Sequence, residues 1–540
     1  MVLRTGSIDD NIKQIKEGKI MIRTILKSLL KPDAYPEAVT GVELVQTHVS
    51  YIFLTDRYAY KIKKPVDFGF LNFSTIDRRR FYCNEEVRLN RRLCPDIYEG
   101  VVELRETPSG AAFYGTGPIV DYAVKMKRLP ADRMLDKLVD DGTVTPATLR
   151  KISSVIAEFH RTALMSPAIS EYGRLERIMF NWQENFEQII PFENLTLPAH
   201  EREVIRSWVE TFAAERKNVF QQRVDDGFIR ECDGDIHLEN ICLDNGAVHI
   251  FDCIEFNERF RCCDTAADIA FLLMDLDYHG RHDLSEDVID EYESRTGDRG
   301  LAALVDFYKI YRAFVRGKVE SFRLNDSGIN PDDQALARMR ATRYFRLVRG
   351  YIERRRLKPA LFITCGLMGS GKSTLTAQLA FELGISSFNS DVTRKQIGGV
   401  PPDTAARDAF GEGLYDRQST EATYTELLSR AENLLQKGSS VVIDASFLHK
   451  AQRTPFARLA KRLAVPFIIL HVACSEAEHK RRLQEREAAG KSFSDGRLEL
   501  LALQAAGFET PDETEGTLIP LSANAPPATL VDEIYNRLAQ

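Results

Sequence analysis

Gly366-Leu367-Met368-Gly369-Ser370-Gly371-Lys372-Ser373 decides how the C-terminal third of this chain is read. An apolar run, Ala360-Leu361-Phe362-Ile363-Thr364-Cys365, precedes it, and a helical pattern over 374–383 follows it. Strand, glycine-rich loop and helix in that order make a phosphate cradle. The glycines let successive backbone N–H groups point inward, and the helix N-terminus adds partial positive charge. The lysine of such a loop reaches the terminal phosphates, and the hydroxyl after it holds Mg²⁺. The expected nucleotide contacts are Gly366, Gly369, Ser370, Gly371, Lys372, Ser373 and Thr374, with Ser373 also a metal ligand. ATP and Mg²⁺ are the expected cofactors.

Working outward, short apolar runs recur at Val441-Val442-Ile443 and at Phe467-Ile468-Ile469-Leu470-His471-Val472. Helical stretches over 423–437 and 454–463 lie between them. This alternation predicts an α/β domain with a parallel sheet. Three further features bear on its chemistry. Asn389-Ser390-Asp391-Val392-Thr393-Arg394 ends the next strand-like segment. Asp391 would take the proton of an acceptor hydroxyl and Arg394 would hold the acceptor's own anionic group; the plainer reading is an Asp that caps a helix. Asp444, ending Val441-Val442-Ile443-Asp444, would sit beside the Mg²⁺. Arg482 and Arg486 share a helix face and would close over the transferring phosphate, although an exposed helix salt-bridged through Glu485 and Glu487 has the same sequence. Together these residues resemble the small phosphate-loop kinases: gluconate kinase, zeta toxin, chloramphenicol phosphotransferase and the kinase domain of polynucleotide kinase. The resemblance implies a kinase domain over about 357–540. In polynucleotide kinase-like members an Asp-x-x-Arg element supplies the base and a substrate contact, and Asp391 and Arg394 match it.

Before residue 350 the patterning changes. Strand-like segments at 49–54, 58–63, 101–104 and 122–126 are followed from about 147 by mostly helical sequence. The second motif is Gly234-Asp235-Ile236-His237-Leu238-Glu239-Asn240, then a hairpin turning at Asp244-Asn245-Gly246, then Phe251-Asp252. Asp, four residues and Asn is the spacing of a catalytic loop whose Asp accepts the hydroxyl proton and whose Asn holds Mg²⁺. A second Asp a dozen residues on is the other metal ligand. Asp235, Asn240 and Asp252 take these places. The arrangement resembles the aminoglycoside phosphotransferase and choline kinase family, whose loop reads His-Gly-Asp-x-His-x-x-Asn; here Asp233 replaces the first His. The resemblance implies an α+β bilobal protein-kinase-like domain. It implies a strand lysine, Lys61 or Lys63 with Lys61 preferred, paired with Glu86 or Glu85. It implies a hinge over 123–127, with Met126 near the adenine. It also implies that Asp264 or Asp268 anchors the catalytic loop.

The length suits two domains, since single cores stop growing at roughly 250–300 residues. The 540 residues are read as an N-terminal extension (1–29), the kinase-like domain (30–356) and the phosphate-loop domain (357–540), with the boundary near Arg354-Arg355-Arg356-Leu357-Lys358-Pro359. The first stretch, Met1 to Lys31, reads as a loose amphipathic extension, and Met21 is an alternative start. Arg338, Arg340, Arg343, Arg346 and Arg349 read as the solvated face of the helix before the boundary. Nine cysteines without a CxxC pair suit reduced thiols in the cytoplasm. No apolar run reaches 18 residues, so no membrane span is expected. Net charge is −7 overall. Residues 357–540 hold 20 Lys and Arg against 22 Asp and Glu, which argues against a nucleic-acid partner and for a small hydroxyl-bearing acceptor such as a sugar. Two other functions stay open here: an N-terminal domain that only senses a ligand, suggested by Asp233, and a nucleic-acid end kinase, suggested by Asp391 and Arg394.

Overall fold

The computed structural model describes residues 24–325, 329–401, 416–489 and 498–539, with the backbone alone for 480, 483, 486–489 and 498–500. It divides into two compact units: residues up to 184 with 212–312, and 185–211 with the residues from 313 onward.

The first unit opens with a six-stranded antiparallel sheet. Its strands are β1 (Glu43–Gln46), β2 (Ser50–Leu54), β3 (Tyr58–Lys63), β4 (Tyr98–Thr107), β5 (Gly110–Ala112) and β6 (Ile119–Lys127), in the order β1-β2-β3-β6-β4-β5. Period-two alternation gives this sheet an inner face, where Phe53, Tyr60, Leu104 and Ala123 are buried. Residues 24–29 are helical, and Leu29 is fully buried in the same cluster. The extension expected over 1–29 is therefore packed from Thr24 onward, because Leu29 supplies apolar surface to the sheet; residues 1–23 lie outside the described part. One helix, α1 (Ile76–Asn90), packs on the sheet and is capped by Thr75, whose side chain accepts from Arg78 N.

The rest of this unit is mainly helical. It includes the expected hairpin, β7 (Ile241–Asp244) and β8 (Ala247–Ile250). Asn245 and Gly246 form its two-residue turn at φ +48° and +78°, the left-handed pair that Asn-Gly adopts most easily. Helix α2 (Thr265–Tyr278) is buried over 265–277, so its three acidic residues, Asp268, Asp275 and Asp277, must find partners inside the protein.

In the second unit β9 (Leu361–Cys365), β10 (Ser386–Asn389), β11 (Val441–Asp444), β12 (Phe467–Ala473) and β13 (Thr517–Ser522) form an all-parallel sheet. Its order is β10-β11-β9-β12-β13. The strand feeding the glycine loop is central, so the loop opens where the strand order reverses, the usual crevice of such sheets.

Helix α3 (Pro331–Arg356) belongs to this unit and packs on α4 (Lys372–Leu383). The contact partition thus differs from the boundary drawn at 356/357. Gly350 is the reason at close range: a Cβ there would lie 1.7 Å from Glu382 O. The solvated-face reading of the arginine stripe also fails at Arg346. This side chain is buried, its Nε and Nη2 donate to the two oxygens of Glu382 at 2.8 and 2.7 Å, and Nη1 donates to Asp532 at 2.6 Å. Periodicity marked a polar face but could not show that acidic partners would cover it. Arg346→Ala would leave buried Glu382 without its cation, at an expected cost of about 3–5 kcal/mol, read as a lower denaturation midpoint at an unchanged m-value.

Among the described residues, no helix is long and apolar enough to cross a membrane.

Candidate functional sites

In the first unit β3 turns Lys61 and Lys63 to one face, and both are buried. Helix α1 delivers Glu86, fully buried between them. Its Oε1 lies 2.9 Å from Lys61 Nζ, and its Oε2 accepts from Lys63 Nζ at 2.6 Å. Glu85 instead faces Arg88 at 2.9 Å. Lys61 also pairs with Asp252, and Lys63 with Glu255. Burial pulls Lys61 down, but the carboxylates of Asp252, Glu86 and Glu255 hold it well above the usual lysine value. Burial would raise Glu86, but the two lysines bring it from its ordinary 4.5 down to about 2.

A carboxyl depressed on folding stabilises the folded state fully above its unfolded value, and that stabilisation is lost as pH falls through the folded one. Glu86 is therefore expected to stabilise the first unit above about pH 4.5 and to lose that contribution toward about pH 2. Thermal unfolding of the intact chain against Glu86→Gln checks this. The difference in stability should be largest above pH 4.5 and shrink on acidification.

The catalytic-loop sequence is held from α2. Asp268 accepts from Asp233 N at 3.0 Å and Gly234 N at 2.8 Å, and is itself met by His160 Nε2 at 3.0 Å. Arg312 Nη1 donates to Gly234 O at 2.9 Å, and Asp275 accepts from Leu238 N at 2.9 Å. Of the two residues left open as the anchor, Asp268 does this; Asp264 caps α2 and pairs with Arg223 at 2.5 Å. Gly234 sits at φ +92°, where an added Cβ would come 2.9 Å from Phe260 O. Asp233, in the place of the resembled family's histidine, is buried and accepts from Asp235 N at 3.1 Å. Burial and the neighbouring Asp268 push its carboxyl well above the usual range.

Asn240 Nδ2 donates to Asp235 at the backbone oxygen (3.1 Å) and at Oδ2 (3.2 Å). Its donor is thus spent on the loop, and its Oδ1 is the atom suited to a cation. Asp252 sits at φ +67° with its side chain 43% exposed, its N donating to the Tyr98 hydroxyl at 3.2 Å. Amide and carboxylate oxygens are hard ligands, and the donor set fits Mg²⁺. Met126 is not at a free strand end. It is paired with Ala59 on one side and Tyr98 on the other, and its side chain packs beside Val124 and Tyr98. The first backbone past the sheet comes after Arg128, whose N donates to Arg57 O at 2.9 Å.

In the second unit fully buried β9 leads into the glycine loop. Gly366, Gly369 and Gly371 all have positive φ, and a Cβ on Gly366 would lie 2.3 Å from Val472 O. Lys372 Nζ donates to Leu367 O at 2.8 Å, folding back over the loop. Ser373 and Thr374, in the first turn of α4, are exposed. Ser370 Oγ is buried with no hydrogen-bond partner among the described residues. An orphaned hydroxyl on a glycine loop at a helix N-terminus suits a nucleotide's phosphates, and hydroxyl and carboxylate oxygens such as those of Ser373 and Asp444 are the kind that hold Mg²⁺.

Asp391 does not end the strand. β10 stops at Asn389, and Asp391 lies in the first turn of α5 (Ser390–Ile397) because Asn389 caps that helix. Its carboxylate accepts from Arg394 Nη1 at 3.0 Å, one turn on. Helix α6 (Glu476–Ala489) brings Arg482 onto the loop itself. Nη1 donates to Ser370 O at 3.3 Å, Nη2 to Ala523 O at 2.6 Å and Nε to Glu478 at 2.6 Å. Arg486 shares the helix, but its side chain is outside the described residues. Sequence reading missed Glu255, Asp275 and Asn389. No local pattern named Glu255; two lysines on one strand face, once buried, need more than one acid, but the sequence does not say which.

Residues 361–511 match the family model described as an AAA domain. The Mycobacterium tuberculosis H37Rv protein Rv2004c is 30% identical over 431 residues, spanning 79% of this chain and 83% of its own. The chain belongs to the family of that mycobacterial protein. A Mycobacterium bovis relative, Mb2027c, matches to the same extent. Among solved structures, a choline/ethanolamine kinase family protein from Mesorhizobium loti is 15% identical, with 60% of this chain and 99% of that one covered at a TM-score of 0.36. A gluconokinase from Sinorhizobium meliloti is 22% identical, with 34% and 94% covered at a TM-score of 0.25. The architecture is an α+β part followed by an α/β part with a parallel sheet and a glycine-rich phosphate loop.

Proposed function

We propose that the chain carries two ATP-dependent phosphotransfer modules, each serving a hydroxyl of a small, sugar-like molecule. The observation that carries the first is the Glu86–Lys61–Asp252 chain of ion pairs beside the Asp235–Asn240 loop. Bound Mg-ATP supplies the phosphoryl group. Asp235 takes the proton of the acceptor hydroxyl as its oxygen bonds to phosphorus and the bond to ADP breaks. Lys61 orients the phosphates, kept charged by its three carboxylate neighbours. Asn240 and Asp252 hold the cation. In the second module the loop 366–373 cradles the phosphates, Lys372 neutralises them, Ser373 and Asp444 hold Mg²⁺, and Asp391 takes the proton. Arg482 steadies the loop from α6. Arg394, one turn from Asp391 and paired with it at 3.0 Å, holds the acceptor's anionic group.

The mixed charge of residues 357–540 favours a small acceptor over a nucleic acid. Asp233 supports catalysis over mere sensing, since its carboxyl bonds Asp235 N as a loop-shaping residue would. The test is a metabolite-wide phosphorylation screen on the intact chain, with labelled oligonucleotide ends as a separate arm. ATP-dependent small-molecule products are expected. Transfer to oligonucleotide ends, or silence across the screen with no nucleotide binding, would overturn the proposal.

A further inference from the structure

We infer that Asn389 is a positioning residue that ties the metal-holding Asp444 to the helix bearing Asp391; this rests on the reading of Asp444 given above. β10 and β11 run parallel with Asn389 opposite Asp444, each the last residue of its strand. The two ends of the Asn389 amide are used in opposite directions. Nδ2 donates to Asp444 Oδ2 at 2.6 Å, while Oδ1 accepts from Asp391 N at 2.9 Å and Val392 N at 3.1 Å. Asp444 is 4% exposed, and among the described residues its other oxygen meets only a long contact, Thr364 Oγ1 at 3.4 Å. The short bond from Asn389 therefore sets how that carboxylate is turned.

Capping alone does not require this residue type. Ser, Thr or Asp caps a helix start comparably. A serine hydroxyl is too short to cap the helix and reach Asp444 together, and an aspartate would set a second carboxylate against the first. Asparagine alone among good caps offers a donor and an acceptor on one planar group. Its placement makes the orientation of Asp444 and the start of α5 parts of one rigid unit, so that the cation and the proton-accepting group are set together. Groups that orient a metal's ligands commonly change metal affinity by about 10–100-fold when removed.

The test uses Asn389→Ser, which retains a cap and loses the donor to Asp444, with Asn389→Thr as a second cap-retaining variant. ADP is titrated calorimetrically into the full chain with and without Mg²⁺, following the site that Lys372→Ala removes. The expected result is unchanged affinity for metal-free ADP and a gain in affinity from Mg²⁺ reduced by about 10–100-fold. Asp444→Asn should remove the same gain. If Asp444→Asn removes it and Asn389→Ser and Asn389→Thr do not, Asn389 is only a cap and the inference fails. If Asp444→Asn leaves the gain intact, the metal role of Asp444 fails, and the inference falls with it for that separate reason.

Discussion

Asp235→Asn is expected to erase one class of phosphorylated product, lowering its rate by about 10²–10⁴-fold while the protein stays folded. The substitution is nearly isosteric and removes the proton-accepting oxygen's charge. The loop around it does not depend on that charge: Asp268 holds the Asp233 and Gly234 amides, Arg312 holds the Gly234 carbonyl and Asp275 holds the Leu238 amide. Asn240 would still find an oxygen on residue 235 to donate to. Melting temperature and nucleotide binding should therefore match the unsubstituted chain, which separates lost proton transfer from lost structure. A variant that still forms every product at the original rate would remove Asp235 from its assigned role.

Lys372→Ala is expected to erase a different product, by about 10²–10³-fold, the usual effect of removing one preorganised donor from a developing anion. The loop should survive, because its shape comes from Gly366, Gly369 and Gly371 at positive φ and from the buried strand before it. Measured in parallel on the intact chain, the two variants should each silence what the other leaves. If Lys372→Ala leaves every ATP-dependent product unchanged, the phosphate-loop assignment is wrong.

Much of this was legible in the residues. The glycine loop, the Asp-x4-Asn spacing and the Asn-Gly hairpin are local signals, because each depends on backbone conformations or steps between neighbours that only certain residues permit. The alternation in β3 put Lys61 and Lys63 on one face for the same reason. What alternation could not say is which acid meets which lysine. Glu86 meets both, one oxygen each, and Glu255 meets the second, from a segment nearly two hundred residues away. The sequence also placed Asp391 one element too early. Strand end and helix start differ there by the side-chain bonds of Asn389, which are invisible in a propensity pattern.

By itself the sequence determined the two fold classes, the strands and turns around the two motifs, and the residue types able to cradle phosphate and hold a cation. Those follow from hydrophobic period and backbone stereochemistry, which act over a few residues. Only the tertiary structure decided that Asp268 rather than Asp264 holds the loop at Asp233 and Gly234, that Arg346 is buried on Glu382 rather than solvated, and that α3 belongs with the phosphate-loop unit. Those are pairings of buried charges across long stretches of chain. A buried charge is stable only where a partner arrives in space, and no local pattern states where that will be.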